Sequence, residues 1–206
     1  MTPAGMLANC DAVLVDLDGT LVNSAAPVGR VWRAFARRHG LDEEAVLRFA
    51  QGRPSRETIR LLMPYADHDT EAAALEQAEI DDTDGVSAFP GAADLLNSDR
   101  PLAVVTSCST ALARVRLLAA GLPIPGVLVS SDGLERGKPD PECFLIAARR
   151  LDVEPARCVV LEDAPAGILA GKAAGAKVIA VRTTHPDVEL HEADVVADDL
   201  ASLMTA

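Results

Sequence analysis

No run in the 206-residue sequence approaches the roughly 20 consecutive apolar residues of a membrane-spanning helix, although 49% of its residues are hydrophobic. Alanine and valine supply much of that share, and a membrane partner is not expected. The start, "MTPAGMLANCDAV", lacks the basic and then apolar order of a secretory signal, so a cytoplasmic location is expected. Cysteine is scarce. Cys10, Cys108, Cys143 and Cys158 show neither a CxxC pair nor Cys/His ligand spacing, and read as reduced core thiols rather than as a disulfide framework or a zinc site. Positive charge is in deficit: 19 Lys and Arg against 31 Asp and Glu give a net charge of −12. Nucleic-acid binding draws on clustered basic residues, and no basic stripe interleaved with aromatics is present, so no such partner is expected. The same deficit sets a condition on catalysis. An acidic protein that handles an anionic substrate must gather positive charge locally, from a metal ion or a few placed basic side chains.

The length suits one core domain with a modest insertion. After an opening apolar strand, "VGRVWRAFARRHG" sets Val28, Val31, Trp32 and Phe35 at helical spacing, with Gly40 as a stop. Two further helices, "EEAVLRFAQG" and "SRETIRLLMP", end at Gly52 and Pro64, and a fourth, "DTEAAALEQAEI", is capped by Asp69 or Thr70. From "VSAFPGAADLL" onward, short apolar strands alternate with helices: "PLAVVTS", "GVLVSSD", "RCVVLEDA" and "KVIAVRT" are strands, with "ADVVAD" a short last one. The expected fold is α/β, a doubly wound, Rossmann-like parallel sheet whose first strand is separated from its second by a helical insertion. Ligands of such sheets bind beyond the carboxyl ends of the strands, at a switch point. Nothing points to a dimer surface, and a monomer is the default.

Chemistry gathers at four strand ends. Ala12 to Val15 read as a strand covered on both faces. It runs into Asp16 and Asp18, whose side chains share one face and repel unless a cation or a shared proton intervenes. "LAVVTS" ends in Thr106 and Ser107, whose hydroxyls and amides suit phosphate oxygens but are also ordinary turn residues. "RGKPDPECF" sets Lys138 just before a helix, where it can pair with Asp16 and an incoming phosphate. "CVVLEDA" ends in Glu162 and Asp163; Asp163 is either an N-cap or, with Glu162 and the first pair, part of a hard-oxygen set suited to Mg²⁺.

In this order, Asp16-x-Asp18-Gly19-Thr20, Thr106, Lys138 and Glu162-Asp163 resemble the four motifs of the haloacid dehalogenase-like phosphohydrolase superfamily. The resemblance covers nearly the whole chain. "DLDGTLVNS", "GKPDPECF" and "VVLEDAPAGILAGKAAGAKVIAV" are most similar to the branch with an inserted helical cap, which holds β-phosphoglucomutase and sugar phosphatases, and within it to bacterial sugar and hexitol phosphatases. The resemblance implies a core of residues 1–22 and 88–206 and a cap of residues 23–87. It implies Asp16 as nucleophile, Asp18 as acid and base, and Thr106 and Lys138 as phosphoryl-binding catalytic groups. Mg²⁺ would be held by the Asp16 side chain, the Asp18 backbone carbonyl and Asp163, with Glu162 in support. Ser107 and the cap residues Gly52, Arg53 and Arg56 are candidate substrate contacts, the substrate being a small phosphate ester.

Several substitutions separate this chain from relatives of other chemistry. Asp18 is the second acidic group that dehalogenases lack. A response-regulator receiver has no helical insertion, and a catalytically dead binding protein would have lost a motif residue. Gln51 stands where the mutase has a cap lysine, Val28 where it has a histidine, and "SCST" lacks its Lys-Asn sugar grip. All three favour hydrolysis over phosphosugar mutation; phosphoglycolate and glycerol-phosphate hydrolysis remain alternatives. Asn23 replaces the Asp usual in the first motif, and Cys108 a common Gly.

Overall fold

The structure is a computed structural model and describes residues 2–50 and 55–204. In chain order its elements are α1 (Pro3–Ala8), β1 (Ala12–Val15), β2 (Val22–Asn23), α2 (Ala25–His39), α3 (Glu43–Ala50), α4 (Ser55–Leu62), α5 (His68–Asp81), β3 (Ser87–Ala88), α6 (Ala92–Leu96), β4 (Leu102–Val105), α7 (Thr110–Ala119), β5 (Val127–Val129), α8 (Glu142–Arg150), β6 (Cys158–Glu162), α9 (Pro165–Ala173), β7 (Lys177–Val181), β8 (Val195–Ala197) and α10 (Ala201–Met204). The described chain divides into two compact units, Met1–Asn23 with Ser87–Ala206, and Ser24–Val86.

The larger unit is built on a six-stranded parallel sheet of order β5-β4-β1-β6-β7-β8. Its central strands are short, rich in valine and buried along their whole length, as expected where helices flank both faces. Phe144 and Ala147 of α8 and Ile168 of α9 pack with Leu14, Val105, Val160 and Val178 in one apolar cluster. Winding reverses at β1: the chain steps outward through β4 and β5, then returns to β6 on the other side. A switch point of this kind opens a crevice at the carboxyl end of β1. The chain leaves this unit after β2 and re-enters at β3, and those two strands pair antiparallel, Val22 with Ala88 and Asn23 with Ser87.

The helical unit forms around one stripe. Val31, Trp32, Phe35 and Ala36 of α2 pack with Val46 of α3, Ile59 of α4 and Leu75 of α5, and the Trp32 and Phe35 rings meet edge to face at 5.4 Å. Arg37, Arg38 and His39 fill the last turn of α2, where cations suit the negative end of the helix, before Gly40 closes it in the left-handed conformation. The cap of α5 lies earlier than Asp69 or Thr70: Asp67 takes that place, its carboxylate accepting the Thr70 N–H at 3.1 Å. No helix among the described residues is long and apolar enough to cross a membrane.

Candidate active site

Parallel register sets the site. Val15 of β1 lies level with Val104 of β4 and Leu161 of β6, so Asp16, Val105 and Glu162 end three adjacent strands at one height. Asp16 is buried, and its backbone N–H is held by the Leu161 carbonyl at 2.9 Å. Lys138 reaches this point from the loop before α8. Its ammonium donates to Asp16 Oδ1 at 2.6 Å, to Glu162 Oε1 at 2.7 Å and to the Val105 carbonyl at 3.2 Å. Three protons thus meet three acceptors. The Phe144 ring centroid, 5.2 Å from Nζ, adds a cation–π contact. Asp16 Oδ2 takes no hydrogen bond from any described residue.

Glu162 has a different post from that of a simple ligand. Its Oε1 is bound to Lys138, and its Oε2 accepts the N–H groups of Asp163 and Ala164 at 2.9 and 3.0 Å. It therefore satisfies two backbone donors in the turn that leads into α9, whose N-cap position is held by Ala164 rather than Asp163. Asp163 turns instead toward the first motif: Thr20 donates to its Oδ1 at 3.2 Å and Thr184 to its Oδ2. The His185 ring nitrogen Nδ1 lies 3.1 Å from the Asp163 carbonyl oxygen. Gly19, at φ 92°, passes so close that a Cβ there would lie 2.2 Å from Asp163 Oδ2. Only glycine satisfies both constraints.

A second glycine guards the cluster. A Cβ on Gly167 in α9 would lie 1.6 Å from Glu162 Oε1. At an ordinary helix position Gly→Ala gains about 1 kcal/mol; here the overlap costs roughly 1–3 kcal/mol and drives Glu162 off Lys138. Gly167→Ala is expected to lower both unfolding stability and phosphate release, measured by denaturant titration and turnover. An unchanged or more stable variant would show that Glu162 moves freely.

Electrostatics mark the same place. Burial, reinforced by Glu162 and Asp163 and opposed by Lys138, pushes the Asp16 carboxyl well above the usual range. Burial and then Glu162 push Asp163 up to about 7. Burial alone would lower Lys138, but Asp16 and Glu162 reverse this and hold it above the ordinary lysine value. Oxygens of Asp16, Glu162 and Asp163 lie within 4.8 Å of one another, all three residues buried, with one ammonium among them. Three carboxylates against one cation leave a place for further positive charge, and hard oxygen donors suit a divalent ion.

Further residues of the sheet-bearing unit fall around this centre. Thr106, the first residue after β4, is buried and its Oγ1 accepts the Cys108 N–H at 3.2 Å, while Ser107 is exposed. The Cys108 sulfur lies 3.1 Å from Thr106 Oγ1, and its thiol is pushed up by burial and then by Asp18. Asp18 is half-buried and paired with Arg116 of α7, a residue that inspection of strand ends alone passes over. Arg56 belongs to the helical unit, exposed on α4 and 2.6 Å from Asp69. Gly52 and Arg53 lie outside the described residues.

Known proteins resemble this chain over most of its length. Residues 10–175 match the family described as haloacid dehalogenase-like hydrolase. Hexitol phosphatase A of Escherichia coli is 44% identical over 201 residues, which are 94% of this chain and 93% of that one. Validoxylamine A 7'-phosphate phosphatase of Streptomyces hygroscopicus subsp. limoneus is 39% identical over 92% of this chain and 94% of its own. The crystal structure of CbbY from Rhodobacter sphaeroides in complex with phosphate matches with a TM-score of 0.81 at 27% identity, over 94% of this chain and 96% of that one. The chain belongs to the haloacid dehalogenase-like hydrolases and is a phosphatase of that family.

Proposed function

We propose that this phosphatase hydrolyses sugar or sugar-alcohol phosphates through an aspartyl-phosphate on Asp16, with Mg²⁺ as cofactor. The observation that carries the reading is the Asp16 carboxylate itself, buried at the switch point with Oδ1 pinned by Lys138 and Oδ2 unengaged. Oδ2 attacks phosphorus in line, dividing one hard displacement into two easier ones. Asp18, two residues on, gives a proton to the departing alcohol oxygen and later takes one from the water that cleaves the acyl phosphate. The Thr106 hydroxyl and the backbone beside Ser107 supply donors for phosphoryl oxygens, where negative charge spreads in the transition state. Lys138 orients Asp16; its longest bond, to the Val105 carbonyl, is the one traded for a phosphoryl oxygen.

Asp16, the Asp18 backbone carbonyl and Asp163 would hold the metal, with Glu162 in support behind Lys138. When bound, Mg²⁺ neutralises the carboxylates and the phosphoryl group and orients the latter for attack. The substrate class rests on the two relatives above, named for a hexitol and for a validoxylamine phosphate. The helical unit serves as the cap that selects among esters, through Gly52, Arg53 and Arg56. A soluble cytoplasmic monomer completes the reading.

Phosphate release should be measured across hexitol, hexose, glycerol and glycolate phosphates, with and without chelator. The expected result is release that is fastest on hexitol and hexose esters, lost on chelation and restored by Mg²⁺. β-Glucose 1-phosphate converted to glucose 6-phosphate without free phosphate would replace this reading with a mutase.

A further inference from the structure

We propose that Arg116 is a positioning residue for proton transfer by Asp18, an inference that rests on Asp18 being the acid and base of the reaction above. Helix α7 buries Leu112, Ala113, Arg116 and Leu117, one stripe along its inner face. Three of the four are apolar. The fourth is an arginine with only 7% of its side chain exposed, where a leucine would bury apolar area without taking a charge out of water. Its Nη1 donates to Asp18 Oδ2 at 2.7 Å, joining residues 98 positions apart in sequence.

Asp18 needs such an anchor. It follows β1 in a turn rather than lying in the strand, at an isolated bridge to Val22 before Gly19 with its positive φ. Its side chain is 28% exposed, so packing alone does not fix the carboxylate. The reaction asks this one group to meet the departing oxygen and then the attacking water, and a misplacement of about 1 Å costs roughly 100-fold in rate. A guanidinium is planar, permanently charged and pre-organised for carboxylates, and it comes here from a rigid helix packed on the sheet. Arg116 exchanges no proton; the proton passes between Asp18 and the alcohol or water.

The test compares an ester whose leaving group needs a proton with one whose leaving group does not. Arg116→Met and Arg116→Lys are made in the full chain, and first-turnover release is followed for the alcohol of a hexitol phosphate and for p-nitrophenolate from p-nitrophenyl phosphate. Arg116→Met should slow alcohol release on the order of 10- to 100-fold with KM nearly unchanged, and p-nitrophenolate release by no more than about threefold. Arg116→Lys should fall between, and it carries the test if the methionine variant does not fold. Equal slowing on both esters would make Arg116 merely structural, a raised KM at constant kcat would make it a substrate contact, and wild-type rates would give it no role; each overturns the proposal. Asp18→Asn separates the two levels of inference. If it fails to split the esters, the acid/base reading of Asp18 falls and takes this proposal with it. If it splits them and the Arg116 variants do not, only the role of Arg116 falls.

Discussion

Asp16→Asn is expected to lower phosphate release by roughly 10⁴- to 10⁶-fold, the scale on which loss of a nucleophile acts, while leaving the protein folded. Asparagine keeps an oxygen for the Lys138 bond and matches the carboxylate in size, but its nitrogen cannot attack phosphorus. Stability should hold or rise. Burial disfavours the Asp16 carboxylate, and Glu162 and Asp163 add to that, so a neutral amide relieves repulsion and leaves the Lys138–Glu162 pair intact. Acid-quenched protein should carry labelled phosphate in the wild type and none in the variant. More than a tenth of wild-type activity in the variant would place the nucleophile elsewhere.

Much of this site was legible in the sequence, because strand ends in a parallel sheet are easy to find. Apolar runs of four or five residues, rich in valine, predict β1, β4, β6 and β7, and parallel pairing then brings Asp16, Thr106 and Glu162 to one edge. Lys138 is placed by the same logic, one loop away. What stayed hidden depends on side-chain direction. Glu162 and Asp163 are adjacent acids of equal charge, and nothing local says that the first serves Lys138 and the two N–H groups just before α9 while the second faces Thr20 and Thr184. Thr184 and His185 come from the loop after β7, whose approach to Asp163 is set by the tertiary fold alone. Arg116 did leave a trace: it sits four residues after Leu112 on the apolar face of its helix, where a charge is out of pattern. Strands β2 and β3, two residues each, are too short for any period to register. Helix α1, with six residues, carries only a Thr2 cap and a Pro at its start.

Lys138→Met is expected to have the largest effect on stability. The Lys138 side chain is 7% exposed, and its ammonium lies between two carboxylates whose side chains are 9% and 2% exposed. Methionine fills nearly the same volume and keeps the contact with Phe144, so packing changes little and the lost charge dominates. Removing one partner of a buried ion pair costs about 3–5 kcal/mol because the other remains uncompensated, and here two carboxylates are stranded. Urea unfolding in chelator at neutral pH should show that loss, and turnover should fall with it. Adding Asp16→Asn or a Glu162→Gln change removes one stranded charge, so either double variant should be more stable than Lys138→Met alone; contacting residues couple in this way. The pH dependence has a definite sign. A carboxyl whose folded pKa is raised, as burial raises that of Asp16, binds more protons folded than unfolded, so the penalty is greatest at neutral pH and shrinks as pH falls and Asp16 takes up a proton. A loss below about 1 kcal/mol, or one that does not ease with acid, would mean that the ammonium is solvated and that the Asp16 carboxylate is held in place by something other than Lys138.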